Sequence, residues 1–244
     1  DVEPKHDTSF ANFRKTVELI NELAADGSVA FTACIGDIAH RGSEEQYEKA
    51  TGILAALPVP FYSIMGNEEL MAPDAQERFL RYAALWNHEP GVIPGTCYVK
   101  VHGGIAFIFA TAHTDGTTFS DAEIAWIEEQ VRAHRPRPVM IFTHAPMPNV
   151  FPDAGKRTMK SDAFRRILAY EHVQAVFSGH THFDLATVQS AAIDSFGVHH
   201  IHIPGIERTK VGPAHTPRFR MVTVDDEGRV LIETYNVLTG VTEK

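Results

Sequence analysis

Val29-Ala30-Phe31-Thr32-Ala33-Cys34-Ile35-Gly36-Asp37-Ile38-Ala39-His40-Arg41-Gly42 is the stretch on which the fold turns. Its first half is a largely apolar run that predicts a buried strand, and the run passes at once into a glycine and a carboxylate. Upstream, Phe10, Phe13, Val17, Ile20, Leu23 and Ala24 recur near the 3.6-residue period, which predicts a helix over 9–26 stopped by Asp26-Gly27. Downstream, Ser43 and Gln46 have capping-box spacing and open a helix that Pro58 ends after about Leu57. The same alternation continues with a strand at 59–65 and a helix at 74–87. Strands at 96–101 and 104–111 are split by His102-Gly103-Gly104, a hairpin signal. A second capping-box spacing, Ser120 with Glu123, opens a helix to about Ala133, and Pro136 and Pro138 break it. Then come a strand at 139–142, a helix at 161–170 and a strand at 173–177. The last third is strand-rich, with strands at 185–190, 198–203, 218–224 and 229–236 and a turn at Asp226-Glu227-Gly228. Helices alternating with strands, followed by strands alone, predict a mixed α/β protein with at least two sheet layers. No linker or internal repeat divides residues 1–244, so one domain is expected.

The composition bounds what such a domain does. At 44% hydrophobic and 22% charged residues, the 244-residue chain is neither disordered nor fibrous. No apolar run approaches the roughly 18 residues of a membrane span. A net charge of −9 argues against a nucleic-acid sheath or an anionic membrane as partner, because little of it can neutralise phosphates. It does not exclude a small phosphorylated substrate if metal ions supply the positive charge. The two cysteines, Cys34 and Cys97, make no disulfide framework and lean towards a reducing, cytoplasmic compartment. Fourteen histidines against 22 lysines and arginines direct attention to metal ligation.

The residues that carry chemistry all follow apolar strands. The strand at 29–35 ends in Gly36-Asp37, that at 59–65 in Gly66-Asn67-Glu68-Glu69, that at 139–142 in Thr143-His144, and that at 173–177 in Ser178-Gly179-His180-Thr181-His182. Ligand sites in open α/β sheets lie outside the carboxyl ends of strands. Asp, Asn, His and His-x-His at four such ends are all donors for a transition metal. In an extended segment His180 and His182 point to the same side and can face one centre.

This ordered set, GD-x-x-H-R-G, GN-E-E, T-H and GHTH, resembles the calcineurin-like metallophosphoesterase family along nearly the whole chain. Ser120-Asp121-Ala122-Glu123-Ile124-Ala125-Trp126 further resembles its bacterial cyclic-nucleotide phosphodiesterase branch. The resemblance implies a four-layer α/β/β/α sandwich with two mixed sheets and a dinuclear centre of Mn, Fe or Zn. Carried over, Asp37 would bridge two metals, Asn67, His144 and His180 would complete one, and Asp1, Glu3 and His182 the other. It implies a phosphohydrolase for a small phosphodiester or phosphomonoester, in which a hydroxide bridging the metals attacks phosphorus. Asn67 would help to stabilise the charge on the phosphoryl oxygens.

Three departures from the family pattern bear on activity. Glu3 replaces a histidine of the first motif, and Glu68 replaces the histidine that in the family stabilises the phosphoryl group or protonates the leaving oxygen. Glu68 beside cations should be ionised, repel phosphate and donate nothing. Metal binding should then be normal or strengthened and hydrolysis weakened. Third, the chain starts at Asp1, where the family places an apolar strand ahead of that residue, so a gap in the sheet is expected; Asp7 is the fallback for Asp1. The competing expectation is a degenerate member that binds metal or phosphate esters with little turnover.

Other candidates have ordinary readings beside functional ones. Arg41 either contacts substrate phosphate or is solvated ahead of the helix that begins at Ser43. His200 and His202 share a face of a late strand, and His202 is placed at the pocket mouth as a substrate contact. His113 is expected in a turn, His134 at a helix end favouring its dipole, and Lys156-Arg157 in a solvated loop. There is no Gly-x-Ser-x-Gly elbow and no Gly-x-Gly-x-x-Gly, so nucleophilic-serine and dinucleotide chemistry are not indicated.

Overall fold

The computed structural model describes residue 2 and residues 7–89, 91–183, 189–207, 216–225 and 229–243. Helices α1 (Asp7–Leu23), α2 (Glu44–Leu54) and α3 (Ala75–Ala83) alternate with the short strands β1 (Thr32–Cys34) and β2 (Phe61–Ser63). The hairpin β3 (Cys97–His102) and β4 (Ile105–Ala110) follows, then α4 (Asp121–Ala133), β5 (Val139–Phe142) and β6 (Val173–Ser178). The last third supplies β7 (Ala191–Ile193), β8 (His199–His202), β9 (Arg218–Val224), β10 (Val230–Asn236) and β11 (Thr242–Glu243).

Among the described residues the largest sheet has the order β3-β4-β5-β6-β8-β7. It is mixed: β4, β5, β6 and β8 run parallel, while β3 and β7 flank them antiparallel. Its central strands β4, β5 and β6 are buried on both faces, so they read as largely continuous apolar runs. Side-chain alternation divides them between two cores. Ala106, Ile108, Ala110, Val139 and Ile141 face α4 through Ile124, Ile127 and Val131. Phe107, Phe109, Met140, Phe142 and Phe177 face the other way, where they join β1, β2 and the apolar stripes of α1, α2 and α3. The layers therefore run helix, sheet, sheet, helix, in the α/β/β/α arrangement.

The second β layer is built of a parallel pair, β1-β2, and an antiparallel three-stranded sheet, β11-β10-β9. Val222, Val224, Val230 and Ile232 of that antiparallel sheet pack against the same core as β1. In the large sheet, four rings stack across four neighbouring strands: Tyr98 on Phe109 at 4.8 Å, Phe109 on Phe142 at 4.6 Å and Phe142 on Phe177 at 4.7 Å between centroids. Each pair is also a register pair, so the ladder fixes the alignment of β3 to β6. The strands whose ends carry the donors are thereby locked side by side.

Local corrections have local causes. The helix expected over 161–170 is a 3-10 helix, Asp162–Ala169, with Phe164, Ile167 and Leu168 buried. The strand expected at 185–190 falls mostly outside the described residues, and β7 forms just after it. Ser43 makes no side-chain cap to α2; Gln46, its supposed capping-box partner, accepts from the His40 N–H instead at 2.5 Å. At α4 the capping box does form, with Glu123 Oε2 accepting from the Ser120 N–H at 2.6 Å and Ser120 Oγ accepting from the Glu123 N–H. Among the described residues no helix is long and apolar enough to cross a membrane.

Ser120→Ala removes that acceptor and leaves the Glu123 N–H without it. Chemical denaturation should show a loss of about 0.5–2 kcal/mol, and an unchanged midpoint would mean that the box is idle.

Candidate metal centre

Two adjacent parallel strands from each β layer deliver the donors. β1 pairs with β2 in the register Cys34↔Ser63, so the loops that follow bring Asp37 and Asn67 out side by side. β5 pairs with β6 in the register Phe142↔Phe177, which does the same for His144 and His180. The four side chains meet where the two sheets face each other.

His144 Nε2 lies 3.1 Å from Asn67 Oδ1, 3.1 Å from His180 Nδ1 and 3.5 Å from Asp37 Oδ2. One ligand atom from each of Asp37, His144 and His180 lies within 4.8 Å of the other two. His144 Nδ1 donates to the Ile35 carbonyl at 2.8 Å, and a carbonyl only accepts, so the proton sits on Nδ1 and Nε2 presents its lone pair. Asn67 turns its amide NH₂ towards Glu68 Oε1 at 3.4 Å, which leaves its carbonyl oxygen facing the cluster. Lone pair therefore faces lone pair at 3.1 Å, an arrangement that a cation between them relieves. Donors about 2.0–2.2 Å from one ion stand about 3 Å or more apart, so the spacing suits a divalent ion. Asp37 and His144 are buried and Asn67 and His180 partly exposed, so the cluster is open to solvent on one side.

Two glycines make the approach possible. A Cβ on Gly36 would come within 2.5 Å of the Gly66 backbone nitrogen and 2.9 Å of the His144 ring. One on Gly66 would come within 2.2 Å of Asp37 Oδ1. The two loops and the imidazole pack against one another only because both positions lack a side chain.

The residue that ties the loops together is Glu69, which the sequence reading passed over. It is 1% exposed. Its Oε2 accepts from the N–H groups of Asp37 at 2.8 Å and Gly66 at 2.7 Å, and its Oε1 from that of Ala39 at 2.9 Å. Burial pushes its carboxyl up from the ordinary range, while these backbone donors pull it down and stabilise the anion. Nothing in the Glu-Glu pair after Gly66-Asn67 signals it, because two of the three donors it meets lie some 30 residues away.

The remaining expectations divide. Asp1 and Glu3 lie outside the described residues; Asp7 begins α1. His182 is fully buried and lies outside the Asp37-His144-His180 group. The extended conformation expected for Gly-His-Thr-His is absent: His180 and His182 both have positive φ, 65° and 47°. It is a tight turn that swings His180 towards His144. His202 is not at the pocket mouth. It is fully buried beneath this turn, stacked on Phe183 at 4.2 Å, with Nε2 against the Gly179 carbonyl at 3.1 Å and the Thr181 hydroxyl. Burial holds its pKa well below the usual value, so it acts as a neutral prop for the turn. His200 is likewise buried, beside Asp194 at 3.0 Å.

Glu68 is drawn towards the loop that follows β1. Its Oε2 lies 2.6 Å from His40 Nδ1 and accepts from the Arg41 N–H at 3.0 Å. The Arg41 side chain is exposed and Arg41 itself is in the left-handed region, φ 54°. His134 caps α4, with Nδ1 2.8 Å from the Gln130 carbonyl. His113 bridges Glu123 Oε1 at 2.5 Å and Thr96 Oγ1 at 2.7 Å, a link between loops that no spacing announced. Burial pushes the Cys34 thiol up, and that of Cys97 to about 11, so neither is a thiolate nucleophile at neutral pH.

Comparison with known proteins agrees with this fold. The sequence model of the calcineurin-like phosphoesterase family matches residues 6–184. No curated protein matches the chain in sequence. A dimetal phosphatase from Danio rerio superposes with a TM-score of 0.69 at 17% identity, over 95% of this chain and 87% of that one. A purple acid phosphatase from yellow lupin (Lupinus luteus) seeds superposes with a TM-score of 0.66 at 14% identity, over 96% of this chain and 48% of that one. At these identities the likeness is one of fold.

Glu69→Gln puts an amide NH₂ where three backbone donors converge. The expected result is a loss of about 1–3 kcal/mol in chemical denaturation, together with weaker metal uptake; full stability would show that the clamp is dispensable.

Proposed function

The chain belongs to the calcineurin-like phosphoesterase family, and on that premise we propose that it is a metal-dependent phosphohydrolase of small phosphodiesters or phosphomonoesters. The observation that carries this reading is the clustering of Asn67 Oδ1, His180 Nδ1 and Asp37 Oδ2 within 3.1–3.5 Å of His144 Nε2. The oxygen and nitrogen donors suit Mn, Fe or Zn. We assign a second ion to Asp37 and His182 with Asp1 and Glu3. Bound divalent ions would supply positive charge to a phosphoryl oxygen and lower the pKa of the attacking water.

The chain's own residues then have separate tasks. The Ile35 carbonyl fixes the His144 tautomer and so keeps Nε2 available as a donor. Asn67, partly exposed at the open side, both donates its carbonyl oxygen to the cluster and orients an incoming phosphoryl group. Glu69 keeps the Asp37 and Asn67 loops in register, and His202 supports the turn that carries His180. The net charge of −9 favours a small ester over a polyanionic polymer as substrate.

An aryl phosphate assay with added Mn²⁺ tests the reading. Wild type should turn over and Asp37→Ala should lose about 10³-fold or more, the several kcal/mol that ligated cations contribute. Metal bound at the site, measured by elemental analysis, without turnover on any phosphate ester would instead make the protein a binding member of the family.

A further inference from the structure

We propose that the loop after β4 positions Asn67 in the donor cluster, with Gly116 as the point of contact and Asp115 as the residue that holds the loop in shape. This inference rests on the donor cluster and the hydrolase reading above. The segment that carries Asn67 is pinned by its neighbours' peptide groups. The Met65 N–H donates to Thr111 Oγ1 at 3.1 Å, the Gly66 N–H to Glu69 Oε2 at 2.7 Å and the Glu68 N–H to Asp37 Oδ1 at 2.9 Å. Asn67 itself is met by steric contact. A Cβ on Gly116 would come within 2.6 Å of the Asn67 nitrogen, 2.9 Å of its Cα and 3.0 Å of its Cβ. Approaches to backbone under 3.0 Å are closer than a side chain tolerates, so any residue larger than glycine at 116 would push Asn67 back. Its Oδ1 lies 3.1 Å from His144 Nε2, and a shift of Cα and Cβ carries that oxygen with it. Thr111 and Gly116 belong to one loop, which thus touches both the end of β2 and the donor that follows it.

The loop has the internal bonding to act as a wall. Asp115 Oδ1 accepts from the Thr117 N–H at 2.9 Å, the Thr117 hydroxyl at 2.8 Å and the Thr118 N–H at 2.7 Å. Its Oδ2 accepts from the Thr118 hydroxyl at 3.0 Å and the Lys160 ammonium at 2.8 Å. Between them, the Gly116 N–H closes onto the Ala112 carbonyl at 2.9 Å, with φ at 77°, which glycine adopts without strain. Partial burial pushes the Asp115 carboxyl up, but the Lys160 and threonine donors outweigh it and hold it well below the ordinary carboxylate range. Asp115 is therefore an ionised acceptor at neutral pH. The outer side of the loop is tied to the chain after β5. The Lys160 N–H donates to the Thr117 carbonyl at 3.1 Å and the Phe119 N–H to Ser161 Oγ at 2.7 Å. That chain is itself anchored two residues beyond His144, where the Met159 N–H donates to the Pro146 carbonyl at 2.7 Å. Glu69 thus fixes the Asn67 segment from inside, and the Asp115 loop braces it from the other side.

Zinc affinity, measured on the intact chain by competition with a chromophoric chelator, tests the assignment without turnover. Gly116→Ala should bind the first Zn²⁺ about 10–100-fold more weakly than wild type, the loss typical of removing the support behind a ligand. Gly27→Ala is the control for backbone strain. Gly27 has φ at 78°, and a Cβ there meets nothing within 4 Å, so its zinc affinity should equal that of wild type. Asp115→Ala should weaken zinc in the same direction as Gly116→Ala. Asp115→Asn keeps an acceptor oxygen for the Thr117 and Thr118 N–H groups and should restore most of the affinity. The Asp115 pair decides the matter if Gly116→Ala does not fold. Wild-type affinity in Gly116→Ala or Asp115→Ala would overturn the assignment, as would a loss in Gly27→Ala equal to that in Gly116→Ala, or equal losses in Asp115→Asn and Asp115→Ala. Each of these leaves the hydrolase reading intact if wild type cleaves an aryl phosphate. A wild type that takes up no zinc and cleaves no ester sinks both.

Discussion

One buried carboxylate holds two loops in place, and the site depends on it. Glu69 gathers the N–H groups of Asp37, Ala39 and Gly66 onto its two oxygens. Those groups belong to the segments that follow β1 and β2, which would otherwise expose unpaired donors in a dry interior. Satisfying them from a single side chain fixes the separation of Asp37 and Asn67 before any ion arrives. The glycines at 36 and 66 are the steric counterpart: they let the clamped loops close on each other and on the His144 ring.

The second half of the site is held by different means. His144 and His180 each lie two residues beyond neighbouring strands whose alignment is fixed by the stack of Phe109, Phe142 and Phe177. The His144 ring is turned by the Ile35 carbonyl, a group from the opposing β layer. The two layers therefore meet through a hydrogen bond at the very residue that completes the donor set. Packing, register and tautomer are coupled there, and a change in the core at Phe142 would be felt two residues later at His144.

Much of this was legible in the sequence. Each of β1, β2, β5 and β6 is an apolar run followed by a polar donor, a pattern that depends only on local burial and strand ends. The donors Asp37, Asn67, His144 and His180 follow from it. The rest depends on contacts distant in sequence. Whether a glutamate after Gly66-Asn67 points to solvent or inward is decided by donors some 30 residues away. His202 looked like a strand residue facing the pocket, but Phe183 and the turn above it fill that space. Gly-His-Thr-His read as extended because alternation is the default for short polar stretches; its two positive φ values come from tertiary constraint. The Glu68–His40 pair joins motifs 28 residues apart, and neither residue signals the other in the chain.

The account stands or falls on the cation. A crystal grown with Zn²⁺ and measured at the zinc absorption edge should show an anomalous peak between Asn67 Oδ1, His144 Nε2, His180 Nδ1 and the Asp37 carboxylate, about 2.0–2.2 Å from each donor. A peak elsewhere, or none in a protein that binds zinc in solution, with these four side chains turned from one another, would contradict it.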